Sequence, residues 1–178
     1  TLALSITAAT EAVMVEADPS GGDVECWAGP QGEPGLIRVA SSVRHAADPV
    51  RLLGACATEV WAGVRVVLAP AECEQAESAL VALGDRFGRV VAASEAQVVI
   101  DAGRWERGQA TAGRLAGCDV IGVVVAPTLA GVAHAAVIAG QLVESFRAQV
   151  VAIPVGDRPY RVDEIGEAIE TVGRGRIV

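Results

Sequence analysis

The sequence predicts an α/β protein in which a mainly parallel sheet is flanked by helices. Three observations carry that expectation. Short apolar runs alternate with helical patterns along the chain, the residues are 52% hydrophobic but only 3% aromatic, and two of the apolar runs end in an acid followed by small residues. Strands alternating with helices at this spacing indicate right-handed βαβ units. A core short of aromatics has to be built from Ala, Val, Leu and Ile in many close helix–sheet contacts, which suits a layered fold. At 178 residues, with no internal repeat and no low-complexity linker, residues 1–178 read as a single domain able to bury its own core.

In chain order, Leu2 to Thr10 reads as most of a helix that opens at the first residue with no capping segment before it. Apolar Ala12 to Val15 makes a short buried strand. Asp18 to Gly35, rich in Gly and Pro, reads as a long loop, and loops beyond about 12–15 residues without structure of their own are usually functional or disordered. Leu36, Ile37, Ala40 and Val43 fall at roughly helical spacing, which predicts a short helix to His45. Ala57 to Trp61 and Val64 to Leu68 are β-like runs on either side of Ala62-Gly63, and Pro70 ends the second. Glu72 to Phe87 predicts an amphipathic helix, with Cys73, Ala76, Ala79, Leu80 and Leu83 on one face.

Ala96 to Ile100 is a strand running into Asp101, Gln109 to Ala116 reads as helix, and Val120 to Val125 as a third core strand ending at Ala126-Pro127-Thr128. Leu129 to Phe146 predicts the longest helix, apolar nearly all round in its middle and packed against the sheet. Gln149 to Val155 is a fourth strand closed by Gly156-Asp157-Arg158-Pro159; Asp163 is placed to cap a final helix through Ile169, and Arg176-Ile177-Val178 reads as the start of another strand.

Composition excludes several functions. The net charge of −8 argues against a nucleic-acid surface made by this chain, because phosphate binding relies on a basic patch. All 14 basic residues are arginines, so chemistry that needs a lysine, a Schiff base or a phosphate-binding lysine among them, cannot be completed within these residues. Cys26, Cys56, Cys73 and Cys118 form neither a C-x-x-C pair nor a Cys/His cluster, which argues against zinc and against a disulfide framework. Reduced, partly buried thiols are the expectation, and His45 and His134 read as surface or helix-face residues. No apolar run reaches the ~18–20 residues needed to cross a bilayer. No basic segment precedes a hydrophobic stretch as in a secretory signal, so a cytoplasmic location is expected.

The two acid-ended strands bear on function. In Val13-Met14-Val15-Glu16-Ala17-Asp18-Pro19-Ser20-Gly21-Gly22 an acidic pair and a flexible turn leave the end of an apolar run, and Val98-Val99-Ile100-Asp101-Ala102-Gly103 repeats the pattern. Each segment alone is open to a plainer reading, a polar turn where a strand stops. In parallel sheets, however, ligands bind beyond the carboxyl ends of the strands. Asp18 and Asp101 then lie on one edge and can converge. Two carboxylates suit Mg²⁺, which keeps waters and takes substrate phosphates as further ligands, and Gly103 can bring its backbone N–H close to an anion.

These segments, in this order, resemble the MinD/ParA group of deviant Walker ATPases, especially the divergent actinobacterial forms. Val13 to Gly22 is similar to that family's second strand and switch I, with Glu16 at the first acid of an Asp-x-Asp-Pro-x-Gly pattern and Asp18 at the second. Val98 to Gly103 resembles the Walker B and switch II segment, and Val123 to Thr128 the strand that follows. The resemblance implies a P-loop NTPase fold with ATP and Mg²⁺ as cofactors. It further implies that Asp18 positions the attacking water, Asp101 holds the Mg²⁺ shell through water, and Gly103 senses the γ-phosphate. Glu16 is either an acid hydrogen-bonded to nearby backbone or a solvated strand-end residue.

The departures are equally specific. Thr1-Leu2-Ala3-Leu4-Ser5 is similar to the tail of the family's glycine-rich phosphate loop, so Thr1 is expected at the nucleotide as either of the two threonines there. The chain therefore reads as a fragment cut at both ends, lacking the phosphate-loop strand and lysine and inactive by itself. Where many relatives carry Asn-Arg to read adenine, this chain has Gly156-Asp157-Arg158-Pro159-Tyr160. Asp157 either accepts from an exocyclic amine or belongs to a plain turn, and Tyr160 packs on a base or on the fold. Two functions are expected from this pattern. One is an ATP-dependent switch, homodimeric when ATP-bound, that positions chromosome, plasmid, division or secretion and pilus machinery. The other is a degenerate, non-hydrolysing scaffold for protein partners. A dinucleotide enzyme is disfavoured because no G-x-G-x-x-G follows a strand. Trp27, Leu36 and Ile37 form either an exposed apolar interface or a loop folded onto the core.

Overall fold

The structure, a computed structural model, describes residues 2–10, 12–29, 32, 35–45, 49–61, 63–105, 113–156 and 159–173, with backbone alone for 171–173. The chain packs as two compact units, Thr1–Ala116 and Gly117–Val178.

The first unit is built on β1 (Val13–Glu16), an uninterrupted apolar run up to its final acid, with every residue buried. Such a strand belongs in the middle of a parallel sheet covered on both faces. It pairs in parallel with β3 (Val64–Val67) on one side and β4 (Val98–Asp101) on the other. β2 (Thr58–Trp61) pairs antiparallel with β3, giving the order β2-β3-β1-β4. The predicted strand pair around Ala62-Gly63 is therefore a hairpin. The β1–β4 register sets Val13 opposite Val98 and Glu16 opposite Asp101.

Side-chain alternation divides β1 between two apolar layers. Val13 and Val15 join Val67, Leu53, Leu83 and Phe87 in the larger cluster. Met14 points the other way and packs with Val24, Val66 and Leu68 against Ala3 and Leu4 of α1 (Leu2–Thr10). The larger layer is supplied by α3 (Gly35–Ser42), α4 (Leu52–Cys56), α5 (Cys73–Leu83) and α6 (Arg86–Ala93). Leu36 is fully buried there and Ile37 packs against the same cluster, whereas Trp27 stays 74% exposed.

Two predicted elements change. The helix expected over 72–87 stops at Leu83, because Gly84 adopts φ 47° and its N–H bonds back to the Leu80 carbonyl, and α6 then starts afresh. Of the face assigned to that helix, Ala76, Ala79, Leu80 and Leu83 are buried, but Cys73 in the first turn is exposed. The loop expected from Asp18 to Gly35 contains a short helix, α2 (Val24–Ala28). Of the helix expected over 109–116, residues 113–115 are helical and 109–112 lie outside the described residues.

The second unit pairs β5 (Val120–Val125) in parallel with β6 (Gln149–Pro154). α7 (Leu129–Ser145) packs on both strands, and α8 (Val162–Gly173) packs on α7 and β6. Ala135, Ala136, Ala139, Leu142 and Val143 of α7 and Ile165 and Ile169 of α8 are buried. Thr128 caps α7, its Oγ1 accepting the Gly131 N–H at 3.1 Å. β5, expected as a core strand, buries one face only: Ile121, Val123 and Val125 point in, while Val120 and Val124 are more than half exposed. α8 begins one residue before Asp163, whose carboxylate pairs with Arg161 at 3.1 Å instead of capping the helix. The strand expected at 176–178 lies outside the described residues.

Phe87 is 1% exposed at the centre of the larger cluster. Phe87→Ala is expected to lower the unfolding free energy by about 3–5 kcal/mol, read by urea denaturation.

Candidate functional site

The site grows from the point where β1 and β4 part. Their pairing runs out at the Ala17 N–H, which donates to the Asp101 carbonyl at 2.8 Å. On the β1 side, half-buried Asp18 folds over its own turn, and its Oδ1 accepts the Ser20 N–H at 2.8 Å. On the β4 side, the chain turns through Ala102 to Gly103 at φ 67°, where the Gly103 N–H donates to Asp101 Oδ1 at 3.3 Å. A Cβ built on Gly103 would collide with the Asp18 carboxylate. The two predicted carboxylates are thus brought together at one glycine, Asp101 on its N–H and Asp18 against its Cα.

Glu16 is a different kind of acid. It is 4% exposed, so it is no solvated strand-end residue. Oε1 accepts the N–H groups of Asp23 at 2.9 Å and Val24 at 3.0 Å, and Oε2 accepts that of Ala69 at 3.0 Å. Burial pushes its carboxyl above the ordinary value, against the opposing pull of these three donors. The bonds to Asp23 and Val24 explain why a helix forms inside the predicted loop. Asp23 makes no side-chain cap for α2, and the first N–H groups of that helix are taken by Glu16 instead. Gly22 fits beside this carboxylate because it lacks a Cβ, which would lie 2.6 Å from Glu16 Oε2 and 2.7 Å from the Ala69 carbonyl oxygen.

Arg114 completes this corner, and nothing in the sequence pattern singles it out. It is 4% exposed, and its Nη1 donates to the carbonyl of Ala17 at 2.8 Å and to that of Ala102 at 3.0 Å. The one local signal is an arginine set among Gly113, Leu115, Ala116 and Gly117, a run otherwise of small or apolar residues.

The segment expected to meet the base belongs to the second unit. Gly156 follows β6 at φ 123°, and a Cβ there would lie 3.3 Å from the Pro127 ring. The Tyr160 N–H donates to the Pro127 carbonyl at 3.3 Å, which ties the segments after β5 and β6 together. Tyr160 lines a cavity of about 230 Å³ with Leu129, Val132, Glu164, Ile165 and Ala168. Thr1 and Asp157 lie outside the described residues.

Among the described residues, no group of three or more His, Cys, Asp or Glu side chains is placed to hold a metal ion. Mg²⁺ needs no such cluster, because one or two carboxylates with water and substrate phosphate suffice. Asp18 and Asp101 fit that donor set; Glu16, with both oxygens taken by backbone, does not. Burial pushes the Cys56 and Cys118 thiols up, which makes them poor nucleophiles, while Cys26 and Cys73 are exposed. His45 and His134 are exposed. No helix among the described residues is long and apolar enough to cross a membrane.

Two substitutions test this geometry. Glu16→Gln puts an NH₂ donor where backbone N–H groups need an acceptor, and it is expected to cost about 1–3 kcal/mol by urea denaturation. Because the folded protein binds the Glu16 proton more tightly than the unfolded chain, stability relative to that variant should fall as pH rises from the ordinary 4.5 through the raised folded value, then level off. Gly103→Ala meets both the left-handed backbone and the Asp18 carboxylate. Its expected cost is about 1–2 kcal/mol from the backbone alone, and the Ser20 amide signal should shift as Asp18 is displaced.

No family model and no curated protein matches the chain. Among solved structures it is similar to the crystal structure of a ParA family ATPase from Chlorobium tepidum TLS, at 19% sequence identity and a TM-score of 0.62, over 99% of this chain and 72% of that one. At that identity the likeness is one of fold: the chain has a ParA/MinD-like α/β fold.

Proposed function

We propose a ParA/MinD-like, Mg²⁺-dependent ATP switch as the function of this chain. The observation that carries the reading is the meeting of Asp18 and Asp101 at Gly103, beyond the carboxyl ends of two neighbouring parallel strands. In this reading Asp18 orients the attacking water, and Asp101 and Asp18 would hold Mg²⁺, which would supply charge neutralisation for the phosphates. The Gly103 N–H, freed from Asp101, donates to the γ-phosphate, and Glu16 seats the loop that carries Asp18. By the family's pattern Thr1, Gly156 and Asp157 would also serve nucleotide binding. No lysine occurs in the 178 residues, so these residues supply no phosphate-binding lysine. The ATP-bound form is a cytoplasmic homodimer that positions chromosome, plasmid, division or secretion and pilus machinery.

A second reading, a non-hydrolysing scaffold for protein partners, is favoured by Glu16 in place of the family's Asp and by Gly156-Asp157 in place of Asn-Arg. Titrating the gene product with ATP, with and without Mg²⁺, and following tryptophan fluorescence separates the two. The switch reading expects saturable, Mg²⁺-dependent binding and a fall in turnover of about 100-fold or more in Asp18→Ala. Absence of saturable binding sinks the switch reading. Binding with turnover unaltered by Asp18→Ala assigns the scaffold.

A further inference from the structure

We propose that Arg114 is the positioning residue that holds the Asp18 and Gly103 peptides in register, so that the two acid-bearing loops act as one unit. This rests on the reading of Asp18 and Gly103 given above. The last backbone rung between β1 and β4 is the Ala17 N–H to the Asp101 carbonyl. Past it the strands separate, and the next two carbonyls, of Ala17 and Ala102, have no backbone partner across the gap among the bonds that join these strands. Arg114 Nη1 takes both, at 2.8 and 3.0 Å. A buried guanidinium therefore acts as one further rung, made by a side chain.

What that rung controls follows from peptide planarity. The Ala17 carbonyl shares its rigid plane with the Asp18 N–H, and the Ala102 carbonyl shares its plane with the Gly103 N–H. Holding the two carbonyls on one cation points both N–H groups away from Arg114. It also forbids either peptide from turning over without breaking a charge-assisted bond in a buried setting, where such bonds are stronger than neutral ones. The Gly103 N–H is the group the ATP-switch reading assigns to the γ-phosphate, and Asp18 is the group it assigns to water. Arg114 touches neither directly. It sets the direction of the first and the starting point of the second through the same nitrogen, so a shift in one loop is transmitted to the other.

Arg114→Met and Arg114→Lys test the assignment in two ways. Amide hydrogen exchange needs no nucleotide. The Ala17 amide, at the end beside Arg114, should exchange roughly tenfold faster in Arg114→Met once global stability is matched. The Val13 amide, bonded to Gln97 at the opposite end of the same strand, should be unchanged. Arg114→Lys, which keeps a cation and its donors, should fall between. If Ala17 and Val13 change together, or neither changes, the positioning role is overturned; should Arg114→Met fail to fold, the Lys variant carries the same comparison. In ATP turnover by the gene product with Mg²⁺, kcat should fall by about 100-fold in Arg114→Met, with KM much less affected and partial recovery in Arg114→Lys. An unaltered kcat, or a loss confined to KM, overturns it. If the unsubstituted protein turns over no ATP, the switch reading fails, while the exchange comparison still decides whether Arg114 holds the two loops.

Discussion

A carboxylate buried at the end of a central strand must be given donors, and the chain is arranged to bring them to Glu16. Its oxygens collect three backbone N–H groups from two places, the start of α2 and the segment just beyond β3. An unsatisfied charge there would cost far more than the bonds themselves return. One side chain therefore fixes the path of everything between Glu16 and Val24. Asp18 lies on that path, so its position follows from an acid two residues earlier whose two oxygens are both engaged by backbone N–H groups.

The other side of the corner obeys a different constraint, that of close approach. Gly103 can face Asp18 only because it carries no side chain, and the left-handed turn it makes lets its N–H bond back to Asp101. Arg114 then binds the carbonyls that flank this contact. A carboxylate, a glycine and a guanidinium each act on backbone here. The outcome is that two loops from different strands bring their acids to one glycine.

Much of this was legible in the sequence, and the reasons are local. β1 is an unbroken apolar run because both of its faces are covered, and runs of that kind are visible without knowing what covers them. Asp18 and Asp101 stand out because acids directly after such runs fall at the edge where parallel sheets bind ligands. α2 was not legible, since its first N–H groups are satisfied by Glu16 and not by a cap in its own sequence. The break at Gly84 was hidden for another reason: the apolar period of α5 runs into that of α6 closely enough to read as one helix. The one-sided burial of β5 likewise depends on what packs against it, and an apolar hexapeptide looks alike in either case.

The sequence by itself determined the alternation of strands and helices, the run of the central strand, and which two acids leave strand ends, because spacing and residue type decide those within a few positions. Tertiary structure alone decided that Glu16 is a buried organiser and that Asp18 and Asp101 meet at Gly103. It also decided that Arg114, far along the chain from Ala17, supplies the rung between their loops. Those three outcomes depend on hydrogen bonds and contacts between segments distant in the chain, and such pairings leave no periodic trace in the order of residues.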